Sequence, residues 1–248
     1  MPFYSIINTD IHKIKGQFIS VIGGGGKSSL IHTIGQELHK KGLKVILTST
    51  TKLQKFDDIP LILKNGNDHF SAELKSHLDD HNIVLVADDY YKKEKLAGIN
   101  KYFAFELKKY ADVVLSEADG SRQRPLKTHK AYEPVIPSCT DTVVIICGAE
   151  IIGKELNDKN VHRADLFSEK WHLPLKTVLT PEIVTGELLS PESYLKYVPL
   201  KSVIAYYVNK WDLNEIGGKL LAEHLFKKCH HPIFLGSLKK NTLQKIPV

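Results

Sequence analysis

The sequence predicts a doubly wound α/β fold, with a mostly parallel sheet of about seven strands and helices on both faces. Three observations carry that expectation. Short apolar runs rich in Val and Ile alternate with segments whose apolar residues recur at helical spacing, the pattern left by buried parallel strands and their crossover helices. The first strand-like run is joined to the first helix-like segment by Gly23-Gly24-Gly25-Gly26-Lys27-Ser28-Ser29. At 248 residues, 42% hydrophobic and 25% charged, the chain suits a single large domain over residues 1–248.

Residues 1–17 lack a clear period and are expected to form a short lead-in helix or an edge strand. Phe18-Ile19-Ser20-Val21-Ile22 is the first strand, and Leu30, Ile31, Ile34 and Leu38 place a helix that ends near Gly42, with Lys40 and Lys41 in its last turn. Residues 44–48 form the second strand and end in Ser49-Thr50-Thr51-Lys52. Ligand crevices of open α/β sheets lie at strand carboxyl ends, so Thr50 and Thr51 read either as ligand contacts or as ordinary β-formers and caps. Phe70, Leu74 and Leu78 mark a helix, residues 83–87 a third strand, and Leu96, Ile99, Phe103, Leu107 and Tyr110 a further helix. Residues 113–117, 141–147, 203–208 and 233–235 supply the remaining strands. Thr180-Pro181-Glu182 starts a helix with a capping threonine and proline at its first position. Ile216, Leu220, Leu221 and Leu225 stripe the last helix.

The chemistry concentrates at strand ends. Glycines 23 to 26 let main-chain N–H groups turn inward, and the helix that follows adds positive potential. Lys27 is placed to reach β and γ phosphates, and Ser28 to ligate Mg²⁺, with Ser29 beside it. Strand 113–117 ends in Glu117-Ala118-Asp119-Gly120-Ser121-Arg122. A carboxylate leaving an apolar strand is where phosphate-binding folds hold a metal, so Glu117 joins Ser28 as a metal residue, and Asp119 is a catalytic candidate. The stretch 120–137 is long, basic and proline-punctuated. Arg122 or Arg124 in it suits transition-state charge or an anionic substrate, and Lys127, His129 and Lys130 read equally as solvated cations. His162 and Arg163 can point at a ligand, although a histidine without partners is more often structural.

Strand 203–208 delivers Asn209-Lys210-Trp211-Asp212, the N-K-x-D pattern with which GTP-binding folds read guanine. The aspartate accepts from guanine N1–H and its exocyclic amine, a pairing adenine cannot offer. The lysine stem covers the base and the asparagine ties loops together. The competing reading has Asp212 capping the last helix, paired with Glu215. A main-chain N–H in Gly236-Ser237-Leu238 is a faint candidate for the guanine carbonyl.

Composition narrows the partners. Net charge of +6 and a pI near 9.0 favour anionic ligands, but the lysines are dispersed and no nucleic-acid module is recognisable. Cys139, Cys147 and Cys229 are far apart, which indicates neither a disulfide framework nor a thiolate zinc site. The absence of an export-like leader or bilayer-length apolar run leads to an expectation of a cytoplasmic protein with no membrane association.

The chain resembles the selenium-dependent hydroxylase accessory proteins of the YqeC family. The matching stretches are Ile22 through Ser29, Thr48-Ser49-Thr50-Thr51-Lys52, Glu117 through Arg122, Glu133-Pro134-Val135-Ile136-Pro137, Val161-His162-Arg163 and Asn209 through Asp212. The resemblance implies a P-loop NTPase-like domain and a role in maturing selenium-dependent molybdenum hydroxylases, with such an enzyme as client. More distantly, Glu117-x-x-Gly120 looks like the E-x-x-G of GTPase metallochaperones. Ile22 stands where related loops carry a signature lysine, and no obvious water-positioning glutamine is evident. The expected function is a Mg²⁺-dependent, slow GTPase with ATP as the alternative nucleotide. A small-molecule kinase or nucleotidyltransferase and a non-catalytic nucleotide-gated module are the rival readings.

Overall fold

A computed structural model describes residues 1–92 and 95–247. The strands are β1 (Gln17–Gly23), β2 (Val45–Ser49), β3 (Lys52–Gln54), β4 (Leu61–Leu63), β5 (Ile83–Ala87), β6 (Asp89–Lys92), β7 (Lys95–Ala97), β8 (Val113–Glu117), β9 (Leu126–Lys127), β10 (Thr142–Gly148), β11 (Val161–His162), β12 (Val203–Asn209), β13 (Ile233–Ser237) and β14 (Thr242–Lys245). The helices are α1 (Lys27–His39), α2 (Phe70–His81), α3 (Ala104–Leu107), α4 (Ala164–Trp171), α5 (Pro181–Leu188) and α6 (Glu215–Lys228).

Nine strands form one sheet in the order β14-β13-β12-β10-β1-β8-β2-β5-β4. Every pairing in it is parallel except β13 with β14. The fold is therefore doubly wound α/β, with nine strands in place of about seven. The two additional strands are edge strands: β4 has three residues, and β14 exposes three of its four. The apolar run of β4 is only three residues long, and β14 is mostly polar, so neither has the length and continuity of a buried parallel strand.

Alternation along β1 explains the two layers. Ile19 and Val21 pack with Leu30, Ile31, Ile34 and Leu38 of α1 on one face. Phe18 points to the other face, against Leu74, Leu78 and Leu107 of α2 and α3, and Ile22 joins the cluster built by α4, α5 and α6. Because side chains on a strand alternate faces, a nearly continuous apolar run buries both sides at once.

Two expectations need correction, those for residues 96–110 and for α6, while the short lead-in helix expected in residues 1–17 is present in 3₁₀ form. Residues 96 to 110 are not one helix: Leu96 lies in β7, which pairs antiparallel with β3 and β6, and only Ala104–Leu107 is helical. Gly98 sits so close to the main chain of Ser49 and Thr51 that an added Cβ would come within 2.1 Å of Thr51 O, so tertiary packing overrides the helical spacing. Residues 1–17 contain two 3₁₀ turns, Phe3–Ile6 and Ile11–Lys13, the first docked on α1 through Phe3 and Tyr4 N–H groups donating to Glu37. The stripe on α6 is also shifted: Leu221, Ala222 and Leu225 are buried, whereas Ile216 and Leu220 are exposed. Thr180 caps α5 as expected, accepting from Ile183 N–H. No helix among the described residues is long and apolar enough to cross a membrane.

Candidate functional site

The glycine loop joins β1 to α1 at the middle of the sheet, between β10 and β8, where the winding direction reverses and ligand crevices form. Its shape demands glycine. Gly23 has φ +109° and a Cβ there would lie 2.1 Å from Ile146 O; Gly26 has φ +128° and a Cβ would lie 2.7 Å from Asn209 Nδ2. The first three loop amides are committed: Gly23 N–H donates to Asp119 Oδ2 (2.8 Å), Gly24 N–H to Ile146 O (3.0 Å) and Gly25 N–H to Arg124 O (2.9 Å). Among the described residues the amides of Gly26, Lys27, Ser28 and Ser29 have no such partner. These open donors stand at the N-terminus of a 13-residue helix, and all four residues line a cleft of about 1320 Å³.

Lys27 is buried and folds back on the loop, with Nζ 2.7 Å from Gly23 O, 3.2 Å from Ser121 Oγ and 3.1 Å from Asp119 Oδ1. Ser28 Oγ donates to Glu117 Oε1 at the cleft wall. Burial pushes the Glu117 carboxyl above its usual range, against the pull of Lys27 and the Ser28 hydrogen bond. This pairing of two hard oxygen donors fits a Mg²⁺ ion. Among the described residues no group of three or more His, Cys, Asp or Glu side chains is arranged to hold a metal, so an ion held by this pair would need its remaining ligands from a bound anion and water.

Asp119 does not line the cleft; it lies fully buried beneath the loop. Its Oδ2 accepts from Gly23 N–H and sits 2.6 Å from His129 Nε2 and 3.5 Å from Lys127 Nζ. Burial alone would raise its pKa, but Lys127, Lys27 and His129 outweigh that and hold the carboxyl far below its ordinary value. Asp119 is therefore a positioning residue for the loop and Lys27. Lys127 and His129, read from sequence as members of a basic loop, are both buried. Burial lowers the His129 pKa against the pull of Asp119, and its ring bridges Asp119 and Ser193. Glu133 carries the next tier, gripped by both Nη atoms of Arg163 and by Lys127.

Arg122 is in the cleft and exposed, as is Gln123, and both have left-handed backbones, with φ 49° and 62°. Such strain in non-glycine residues collects at functional sites. Gln123 is a glutamine at the phosphate end that sequence reasoning missed; a polar residue in a loop carries no pattern, and only the fold brings it there. His162 lines the same wall and its pKa falls to about 4, through burial and then the charges of Arg163, Lys127 and Arg122. Thr50 and Thr51 are not in the cleft lining. Thr50 Oγ1 donates to Val135 O (2.6 Å) and Thr51 N–H to Ser49 Oγ (2.9 Å), so this hydroxyl cluster braces the exit of β2.

At the N-K-x-D turn, Asn209 is buried and ties loops together. Its Nδ2 donates to Gly25 O (2.8 Å), and its Oδ1 accepts from Tyr207 OH (2.8 Å) and Leu238 N–H (3.2 Å). Leu238 N–H is thereby committed to Asn209. Lys210 lines the cleft and its Nζ pairs with Glu150, a partner sequence reasoning missed. Asp212 is outside the cleft lining, and among the described residues its buried Oδ1 has no hydrogen-bond partner. The cap of α6 is Asn214, whose side chain accepts from Gly217 N–H (2.9 Å), not Asp212 with Glu215.

Fold and site together define a doubly wound α/β protein with a glycine loop, its last amides open to a cleft, between its first strand and helix. Residues 19–165 match the YqeC protein family, and the chain belongs to that family. It is 26% identical over 230 residues to the uncharacterized protein YqeC of Escherichia coli (strain K12), an alignment covering 90% of this chain and 88% of the relative.

Proposed function

We propose that the chain is a Mg²⁺-dependent nucleotide-binding protein that prefers GTP, with ATP as the weaker ligand, and hydrolyses it slowly. The observation that carries this reading is the set of four unpartnered amides from Gly26 to Ser29, facing a cleft whose wall brings Ser28 and Glu117 together. Those amides and Lys27 bind the phosphates. Ser28 and Glu117 hold the metal, which when bound offsets charge on the γ-phosphoryl group. Arg122 supplies a mobile cation there, and Gln123 a group able to orient water. Asn209 sets the loop, Lys210 covers the base, and the unsatisfied Asp212 oxygen selects guanine. As its cellular setting we propose, from the motif resemblance in its sequence, a cytoplasmic accessory role in maturing a selenium-dependent molybdenum hydroxylase, with that enzyme as client.

Equilibrium titration with GTP and ATP plus Mg²⁺ tests this on the parent, Lys27→Ala and Asp212→Asn. Loss of a charged hydrogen-bonding partner is worth about 1.5–3 kcal/mol, so Lys27→Ala weakens triphosphate binding roughly 10- to 150-fold and Asp212→Asn removes most of the GTP preference. Equal binding of ATP and GTP by the parent eliminates the guanine reading. Binding of neither eliminates the nucleotide reading, and binding without phosphate release over hours leaves a non-catalytic module.

A further inference from the structure

We propose that the same cleft carries a second binding site, for a phosphorylated small molecule, on the wall formed by Lys52 and Lys95. The sheet order places it. Along the carboxyl edge the strands run β12-β10-β1-β8-β2. With neighbouring strands about 4.8 Å apart, the Asn209 turn lies on the order of 10 Å to one side of the glycine loop, and the exit of β2 into β3 about as far to the other. A nucleotide with its base near Asp212 and its phosphates on the loop extends toward Glu117 and leaves the wall beyond β2 uncovered. The cleft, about 1320 Å³, exceeds the roughly 300–1,000 Å³ common for one small ligand.

Local structure aims the cations. In the β3–β7 pair, Leu53 opposes Leu96 and both are buried, so Lys52, Gln54 and Lys95 share the opposite face, which lines the cleft. Lys52 Nζ stands 3.3 Å from the centre of the Tyr91 ring, which holds it in place. Lys27, Lys210 and Arg163 in this cleft each have a carboxylate partner, Asp119, Glu150 and Glu133. Among the described residues Lys52, Lys95, Arg122 and Lys130 have none. Like charges gathered in a concave wall repel one another unless an anion joins them, and a phosphate ester with two or more charges matches that excess.

The site rests on the nucleotide reading only for what fills the other half of the cleft, and the test separates the two. Inorganic pyrophosphate is titrated calorimetrically into the parent saturated with Mg²⁺ and a non-hydrolysable GTP analogue, and separately into Lys27→Ala. One equivalent binds in both. The Lys52→Ala/Lys95→Ala double variant, changed only at exposed side chains, binds pyrophosphate at least tenfold more weakly and the analogue as before. A control at the end of α6, Lys227→Ala/Lys228→Ala, removes the same charge and leaves pyrophosphate binding unchanged. Absence of binding in both the saturated parent and Lys27→Ala overturns the site, as does equal weakening in the control. Failure of the analogue to bind the parent sinks the nucleotide reading alone, and the Lys27→Ala and double-variant titrations then decide the second site.

Discussion

The position of Asp119 shows how a residue can be central to a site without touching its ligand. A carboxylate two residues past Glu117 looks catalytic in sequence, because burial cannot be read there, whereas the fold turns it under the loop against Lys27, Lys127 and His129. His162 offers the clearest test at this scale. Its folded pKa of about 4 lies below the ordinary 6.5, so between these values the unfolded chain binds more protons than the folded one. Stability therefore rises with pH from about 4 to 6.5 and is lost as pH falls through that window. Urea midpoints measured across it should fall less steeply in His162→Asn than in the parent; identical slopes would show that His162 does not titrate as the structure implies.

At the scale of elements, a buried polar chain links the loop to the helices behind it. His129 Nδ1 lies 3.2 Å from Ser193 Oγ, which donates to Glu187 Oε1 (2.6 Å) on α5. Glu187 Oε2 accepts from Lys170 Nζ (3.0 Å) and Trp171 Nε1 (2.7 Å) on α4. Removing the fully buried Glu187 leaves three donors, one of them the Lys170 ammonium, without that acceptor. Glu187→Ala should cost about 3–5 kcal/mol in denaturant unfolding, while Glu182→Ala, an exposed carboxylate on the same helix, should cost under about 0.5. None of this network was legible beforehand, since His129 and Ser193 are 64 residues apart, Glu187 is 16 and 17 residues from its partners on α4, and no local spacing links them. The strands that carry the site were legible, because burial on both faces leaves an uninterrupted apolar run. The short hairpin strands β3, β6 and β7 were not, because their pairing depends on Gly98 packing against residues 49–51.

For the whole molecule, the sheet order brings the turn at Asn209, the glycine loop, the Ser28 and Glu117 pair and the Lys52 wall to one edge. Binding only to the folded state stabilises it by mass action, about 2.7 kcal/mol at a hundredfold excess over Kd. For a chain of 248 residues that corresponds to a rise in Tm of roughly 5–10 °C with saturating Mg²⁺ and GTP, absent in Lys27→Ala. A Tm that GTP leaves unmoved in the parent would contradict a cradle preformed in the fold.

The sequence by itself determined the doubly wound class, the glycine loop at the end of β1, the Ser28 and Glu117 candidates and the asparagine that ties the loops, because each is written in local spacing or in a motif whose geometry few residues allow. Only the tertiary structure decided which charges are buried, which face one another across the cleft and which stay unpaired. Those properties depend on strand order and packing between residues remote in the chain, and electrostatic energy follows distance and burial in space rather than position in sequence.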